Sequence, residues 1–438
     1  MKVFSVVLIA FLFIGCSVKE VSLKDAKQEI VIQDLVNIPQ NIEYYTSHMK
    51  YYDEYYIDKE YEKSYFSMWN TKKPEATLED VKWPFKYFDF TKSYGENLLP
   101  IKKSFFDEMY NESNFDNYLK ISSKAVTLKY SNIRALPTSR PLLKDPSLAG
   151  EGFPFDYLQN SSINANAPIL VSHYSKDKQW AFIFSSFTYG WIKSDEIVLL
   201  EDKYASTWKN AKQIYIVKEG IPLFTESGKA LFNTRIGMMF ALVGEDENNY
   251  IMMSISKYKN NKPMFHKTKI LKKYASLKPL PLNKDNINNI INEVSKTNYG
   301  WGGVYGQRDC SSMLMDIYSS FGIFLPRNSS KQAEIGKVID LSSLDDELKI
   351  KTIKEQAVPF ETFLYKQGHI VLYVGVYDNK IIVFHNTWGI KTKEGGKEGR
   401  FIIGKPIFST LKLGHELKNY NEDAELLRNI KSMNIITR

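Results

Sequence analysis

The chain has 438 residues, with 58 Lys+Arg against 50 Asp+Glu, a formal charge of +8. Its 43% apolar and 25% charged residues can bury several small cores, which excludes global disorder; at roughly 100–200 residues per domain the length predicts about two to four domains. Two cysteines, Cys16 and Cys310, exclude a disulfide framework and a cysteine-based zinc cage, and the mild, evenly spread basic excess gives no argument for a nucleic-acid partner.

Residues 1–16 read MKVFSVVLIAFLFIGC. Lys2 supplies a positive start, and residues 3–14 form an apolar run broken only by Ser5, shorter than the ~20 residues that span a bilayer. Gly15-Cys16 closes the run as a lipobox does, with Phe13 where Leu is usual. A lipoprotein signal peptide is expected, with Cys16 lipidated and the chain anchored in the cell envelope on a periplasm-facing membrane surface, that of the outer membrane where there is one. A plain secretory signal is the alternative. No later segment has 18 consecutive apolar residues. Residues 17–40 read as a tether.

Residues 41–116 are rich in aromatics, among them Tyr44, Tyr45, Tyr51, Tyr52, Tyr55, Tyr56, Tyr61, Tyr65, Phe66 and Trp69. Their spacing predicts helix with a ring-lined face. Packing against neighbouring domains is the plainer use of that face, and stacking on a glycan the sharper one. From 118 to 203 short strands alternate with Pro and Gly turns, ending on Tyr189-Gly190-Trp191-Ile192, and resemble an SH3-like barrel. A second such run spans 206–280 and leads into the Pro-rich linker at 277–281. From 283 to 438 helices and strands mix. Helices are expected over 286–296 and over 310–321, where Leu314, Ile317, Tyr318 and Phe321 share a face and Gly322 supplies the stop. A capping box over Ser329-Ser330-Lys331-Gln332 is expected to open a third helix. Residues 370–377 and 381–385 read as a hairpin around Asp378-Asn379. Leu426, Leu427, Ile430 and Met433 have helical spacing in the tail. The fold class is multidomain α+β.

Asp309-Cys310-Ser311-Ser312 opens the 310–321 helix. A thiol there meets unpaired N–H groups and the positive end of the helix dipole, which favour thiolate and could receive a developing oxyanion. A buried structural cysteine is the competing use. A nucleophile needs a base, and the base an orienting partner. His369 and His385, two of only six histidines, lie on the one hairpin. A two-residue turn sets them on opposite faces, a three-residue turn sets them on one face but about four residues apart, and a bulge could join them. His48, His173 and His266 read as ordinary fold residues, with His415 a minor rival to His385.

The ordered set Tyr299-x-x-Gly302-Gly303, Asp309-Cys310-Ser311, Leu325-Pro326-Arg327-Asn328-Ser329, His369-Ile370-x-x-Tyr373-x-Gly375 and His385 resembles the NlpC-type papain-like cysteine peptidases of bacterial cell walls. Residues 132–138 and 150–158 resemble the first SH3-like domain of their multidomain branch, in which an N-terminal stabilising domain and two SH3-like domains precede the peptidase. The resemblance implies a stabilising domain over 41–116, SH3-like domains over 118–203 and 206–280, and a papain-like peptidase over 283–438. It implies hydrolysis of the γ-D-glutamyl bond to meso-diaminopimelate in peptidoglycan stem peptides, with no metal and no cofactor. Cys310 would be nucleophile, His369 base, His385 its orienting partner, and Tyr299 a neighbour of the oxyanion site. Asp309, Ser311, Glu151, Asp156 and Tyr157 would hold a free N-terminal L-Ala amine. The expected partners are muropeptides and, through the lipid anchor, a membrane, with the chain a monomer. The alternatives are a diaminopimelyl-D-alanine cross-link endopeptidase, a wall-binding lipoprotein without turnover, and an acyltransferase on the same fold.

Overall fold

The structure, a computed structural model, describes residues 31–47, 49, 60–71, 73–258 and 260–437. The expected signal peptide with Cys16, most of the tether, His48 and Tyr51, Tyr52, Tyr55 and Tyr56 lie outside the described residues.

The described end of the expected tether is docked on the C-terminal domain. Ile32 and Ile38 are buried, and the Asp34 carboxylate accepts from the N–H and hydroxyl of Thr410 at 2.8 and 2.9 Å. Gln40 donates to the Phe408 carbonyl and accepts from its N–H. This strap covers the edge strand 397–410, so apolar and polar groups that read as linker have partners waiting on an otherwise open sheet edge.

The aromatic region forms short helices, of which Glu60–Tyr65 and Ser67–Asn70 bury Tyr61, Tyr65, Phe66 and Trp69. The Trp69 indole N–H donates to the carbonyls of Ala125 and Ile169, and Tyr215 donates to Glu62 at 2.6 Å. The rings are therefore packed between the two β domains.

The first of these is a seven-stranded antiparallel sheet between Ser123–Thr127 and Ile197–Leu199. The second is a five-stranded sheet from Gln213–Ile216 to Ala275–Ser276, with a small hairpin, Pro222–Phe224 and Ala230–Asn233.

The C-terminal domain has helices α1 (Lys284–Val294) and α2 (Cys310–Ser319). Its strands are β1 (Lys337–Asp340), β2 (Thr362–Lys366), β3 (His369–Tyr377), β4 (Lys380–Glu394), β5 (Lys397–Thr410) and β6 (Ser432–Ile435), in sheet order β1-β6-β2-β3-β4-β5. Ile290, Met313, Leu314 and Ile317 pack on one face of this sheet against Ile370, Leu372 and Phe384. Each such fully buried side chain contributes about 2 kcal/mol.

Two expectations give way here. The segment opened by Ser329 is a single turn, Ser329–Gln332, because the Gln332 amide leaves the backbone to donate to the carbonyls of Ser311 and Pro326. The tail is α-helical only over Leu426–Asn429; Met433 belongs to β6, which pairs with β1 and β2.

Candidate active site

Cys310 is the first residue of α2 and is buried. Asp309 caps the helix, accepting from the Ser312 N–H at 2.8 Å, while the Ser312 hydroxyl accepts from the Asp309 N–H at 2.9 Å. The peptide before it is clamped: Asn386 donates to the Arg308 carbonyl at 2.8 Å, and so does the Gly300 N–H.

Burial pushes the Cys310 thiol up to about 12, with the Asp309 carboxylate adding to it, against the N–H groups of Ile370 and Ser311 and the charge of Arg327. The helix N-terminus favours thiolate, but at Cys310 desolvation outweighs it. The Ile370 N–H that faces the thiol brings the start of β3, and with it His369, alongside Cys310.

His369 Nε2 lies 2.8 Å from His385 Nδ1, and His385 Nε2 lies 3.0 Å from the Ser409 hydroxyl, which donates to the Thr410 carbonyl at 2.9 Å. Donation along that last bond sets the tautomers. Ser409 spends its proton on a carbonyl, so it accepts from His385 Nε2–H. His385 Nδ1 then accepts from His369 Nε2–H, and His369 Nδ1 is left as a basic nitrogen. Burial holds both imidazoles neutral: it drives His369 well below its usual value, helped by His385 and Lys366, and His385 down to about 3, helped by Lys366. His415 is exposed and turned to Lys412 and Glu416, away from this relay. His173 is buried in the first β domain against Ser172 and Ser113, and His266 pairs with Ser256.

Tyr299 is half-buried, tilted on Trp388 at 5.9 Å. Burial raises its hydroxyl pKa, reinforced by Cys310 and Asp309, whose charges it feels directly. Asp309 and Ser311 share Arg327: its guanidinium donates to both Asp309 oxygens, at 2.5 and 3.2 Å, and to the Ser311 hydroxyl at 2.9 Å. Burial opposes the charge on Asp309, yet Arg327 holds the carboxyl below the usual range. The remaining donor, Arg327 Nε, reaches Ser161 of the first β domain at 2.8 Å.

That domain closes over the site. Gly302 and Gly303 carry positive φ, and a side chain at Gly303 would overlap the Ser162 hydroxyl. Only glycine lets the 301–306 loop approach so closely; Tyr130 and Gln159 then donate to the carbonyls of Gly303 and Gly302 at 2.7 and 3.1 Å. Phe155 packs between Trp301 and Trp388 at 5.4 and 5.5 Å. Tyr157 lies 5.6 Å from Trp301 and donates to Glu151 at 2.9 Å. Asp156 does not join them. Its carboxylate takes Arg134 and the N–H groups of Leu142 and Leu158, so it braces its own barrel.

Arg308, Glu219, Arg327 and Ser409 escaped sequence reading. The first two form a largely buried link between domains: the Arg308 guanidinium, with no exposed surface, grips Glu219 of the second β domain and Asp316 of α2, the latter at 2.7 Å. No local pattern marks such a long-range pair. Arg327 stood inside a recognisable motif, which was its one signal.

Four family profiles match in chain order: the NLPC_P60 N-terminal stabilising domain over 5–118, an SH3 domain of SH3b1 type over 141–193, one of SH3b2 type over 201–247, and the NlpC/P60 family over 296–396. This chain belongs to the NlpC/P60 family. It has the family's multidomain arrangement, with two SH3-like domains before a papain-like cysteine peptidase that acts on peptidoglycan. An NlpC/P60 endopeptidase from Photobacterium damselae subsp. piscicida shares the fold at 24% identity and TM-score 0.77, over 92% of this chain and 98% of that one. An NlpC/P60 family protein from Bacillus cereus aligns at 15% identity and TM-score 0.47, over 72% of this chain and 100% of that one. No curated protein matches the chain. In NlpC/P60 terms, the SH3b1 domain supplies Phe155, Tyr157 and Glu151 to the peptidase cleft, and the SH3b2 domain supplies Glu219 behind the nucleophile.

Proposed function

We propose that this NlpC/P60 peptidase hydrolyses the γ-D-glutamyl bond to a diamino acid, meso-diaminopimelate, in stem peptides with a free N-terminal L-Ala. The observation that carries this reading is the SH3b1 loop seated on Trp301 and Trp388 beside Cys310. The same domain brings Tyr157 onto Trp301 and, hydrogen-bonded to it, Glu151, which supports a limit to short stem peptides with a free end. A carboxylate facing the end of the unprimed side suits an ammonium. Glu151 with Tyr157, and Asp309 with Ser311, are the groups for it.

His369 Nδ1 takes the Cys310 proton as Sγ attacks the carbonyl carbon. The Cys310 N–H, at the first position of α2 where the helix itself supplies no partner, and the Tyr299 hydroxyl are the donors for the developing oxyanion. The tetrahedral intermediate collapses, the C–N bond breaks, and His369 returns its proton to the leaving amine. Water, deprotonated by His369, then cleaves the thioester. His385 and Ser409 keep the base in its working tautomer throughout.

The sequence MKVFSVVLIAFLFIGC supports anchoring through a lipidated Cys16 at the envelope membrane. The test of bond and end specificity is mass spectrometry of two digests, one of L-Ala-γ-D-Glu-meso-diaminopimelate and one of a D-Ala-cross-linked dimer. L-Ala-D-Glu from the tripeptide, lost when its amine is acetylated, supports the reading. Uncoupling of the dimer alone supports the cross-link alternative instead, and a hydroxylamine-dependent product the acyltransferase.

A further inference from the structure

Behind His369 lies a cavity of about 90 Å³ lined by Lys366, His369, His385, Thr387, Lys391 and Tyr420, among others. Lys366 is the cross-strand partner of His369 at the end of β2. Its ammonium has one hydrogen bond, to the Ala424 carbonyl at 3.4 Å, and no carboxylate pairs with it among the described residues. Burial, Lys391 and Arg400 all lower its pKa, so the cation is held at a cost. Lys391 and Arg400 share one carboxylate, Glu398, at 3.8 and 3.7 Å. Lys391 and Arg400, whose charges reach Lys366, thus have Glu398 between them, and the nearby Glu425 carboxylate is taken by Tyr420 and Lys412. A partly buried, unpaired lysine is unfavourable unless an anion completes it.

The chemistry of the leaving group supplies that anion. His369 must hand its proton to the departing amine, so that nitrogen sits at His369. In an amino acid the carboxyl carbon is two bonds from the amine, and in meso-diaminopimelate a second carboxylate ends the side chain.

We propose that the cavity between Lys366, His369 and Lys391 is a subsite for a carboxylate of the leaving diamino acid, an inference that rests on the bond assigned above. It gives the peptidase a preference on the primed side, independent of the amine-holding groups on the other.

Four tripeptide-based substrates test it: L-Ala-γ-D-Glu-meso-diaminopimelate, the same peptide amidated on the side-chain carboxyl, the same with L-Lys in third place, and the same extended by D-Ala. All are read as L-Ala-D-Glu released by wild type, Lys366→Gln, Lys366→Arg and Lys391→Gln. For the wild type, kcat/KM falls about tenfold, chiefly through KM, for each substrate lacking the bound carboxylate. Loss on amidation and with L-Lys marks the side-chain carboxylate; loss on extension by D-Ala marks the other. Lys366→Gln removes the difference, Lys366→Arg keeps it, and Lys391→Gln reduces it. Inhibition by free meso-diaminopimelate weakens about tenfold in Lys366→Gln. Equal hydrolysis of all four by the wild type, with equal inhibition of wild type and Lys366→Gln, overturns the subsite and leaves the bond assignment standing. Release of L-Ala-D-Glu from none of them overturns both.

Discussion

Ser409 lies between His385 Nε2 and the Thr410 carbonyl, and with its hydroxyl donating to that carbonyl it accepts from His385 Nε2–H. A serine two hydrogen bonds removed from His369 thereby sets which of its nitrogens is basic. Ser409→Ala is expected to lower kcat about tenfold, the worth of one neutral hydrogen bond, with KM unchanged. Ser409→Thr keeps the hydroxyl and recovers most of the rate. At the next link, His385→Asn can still accept from His369 through its amide oxygen and retains more activity than His385→Ala. His369→Ala loses about 10²–10⁴-fold, the usual worth of a general base. Steady-state kinetics on the tripeptide check all five variants.

The Arg308–Glu219 pair is the second consequence of desolvation. Glu219→Ala leaves a guanidinium with no exposed surface short of one partner, and is expected to destabilise the protein by about 3–5 kcal/mol. By the same reasoning residues 283–438 expressed alone do not unfold cooperatively. Urea denaturation of the variant and of the fragment checks both. A fragment with a sharp transition contradicts the second.

Arg327 ties Asp309 and Ser311 to Ser161 through three of its nitrogens. Lysine offers one charged point and cannot reproduce the fork. Arg327→Lys is expected to lower kcat/KM about 10²-fold while Ser161→Ala costs about threefold, the first leaving a buried carboxylate underpaired and the second only a hydroxyl.

Burial depresses His385 to about 3 and His173 to about 4, from a free value of 6.5. Above 6.5 the imidazoles are neutral in both folded and unfolded chains. As pH falls through 6.5 the unfolded chain takes up protons first, so stability is lost from there down toward the folded values. Each group removes roughly 1.4 kcal/mol per pH unit in that window. Thermal unfolding should move down between pH 7 and 4.5. A midpoint that stays level or rises contradicts the neutral relay.

The thiol's raised pKa makes a further statement. Iodoacetamide should label Cys310 more slowly at pH 7 than a free cysteine does, with the rate climbing on the alkaline side. Fast labelling at pH 6 indicates a preformed thiolate.

The elements that position the nucleophile were legible wherever signals were local. The helix after Asp309 followed from its apolar spacing and Gly322, and the turn at Asp378-Asn379 from its residue types; both turn residues take positive φ. The histidine geometry was not legible. Tyr377 pairs with Lys380 across a two-residue turn, which alone would set the imidazoles on opposite faces. One extra residue between Tyr373 and Gly375 shifts the ladder so that Leu372 faces Phe384, and His385 comes round to the face of His369. A bulge is a tertiary decision that spacing cannot foretell. Met433 misled for a related reason. Its apolar spacing suits a helix, but β6 fills the gap between β1 and β2, and sheet pairing overrides the period.

The central claim is that Cys310 attacks the γ-carbonyl of D-Glu while the SH3b1 domain receives the L-Ala end. The most direct measurement is peptide mapping after reaction with an acyloxymethyl ketone built on L-Ala-γ-D-Glu. The account predicts one adduct per chain, on Cys310, slowed by acetylation of the reagent's amine and by His369→Ala. An unmodified Cys310 in protein that still releases L-Ala-D-Glu would contradict it.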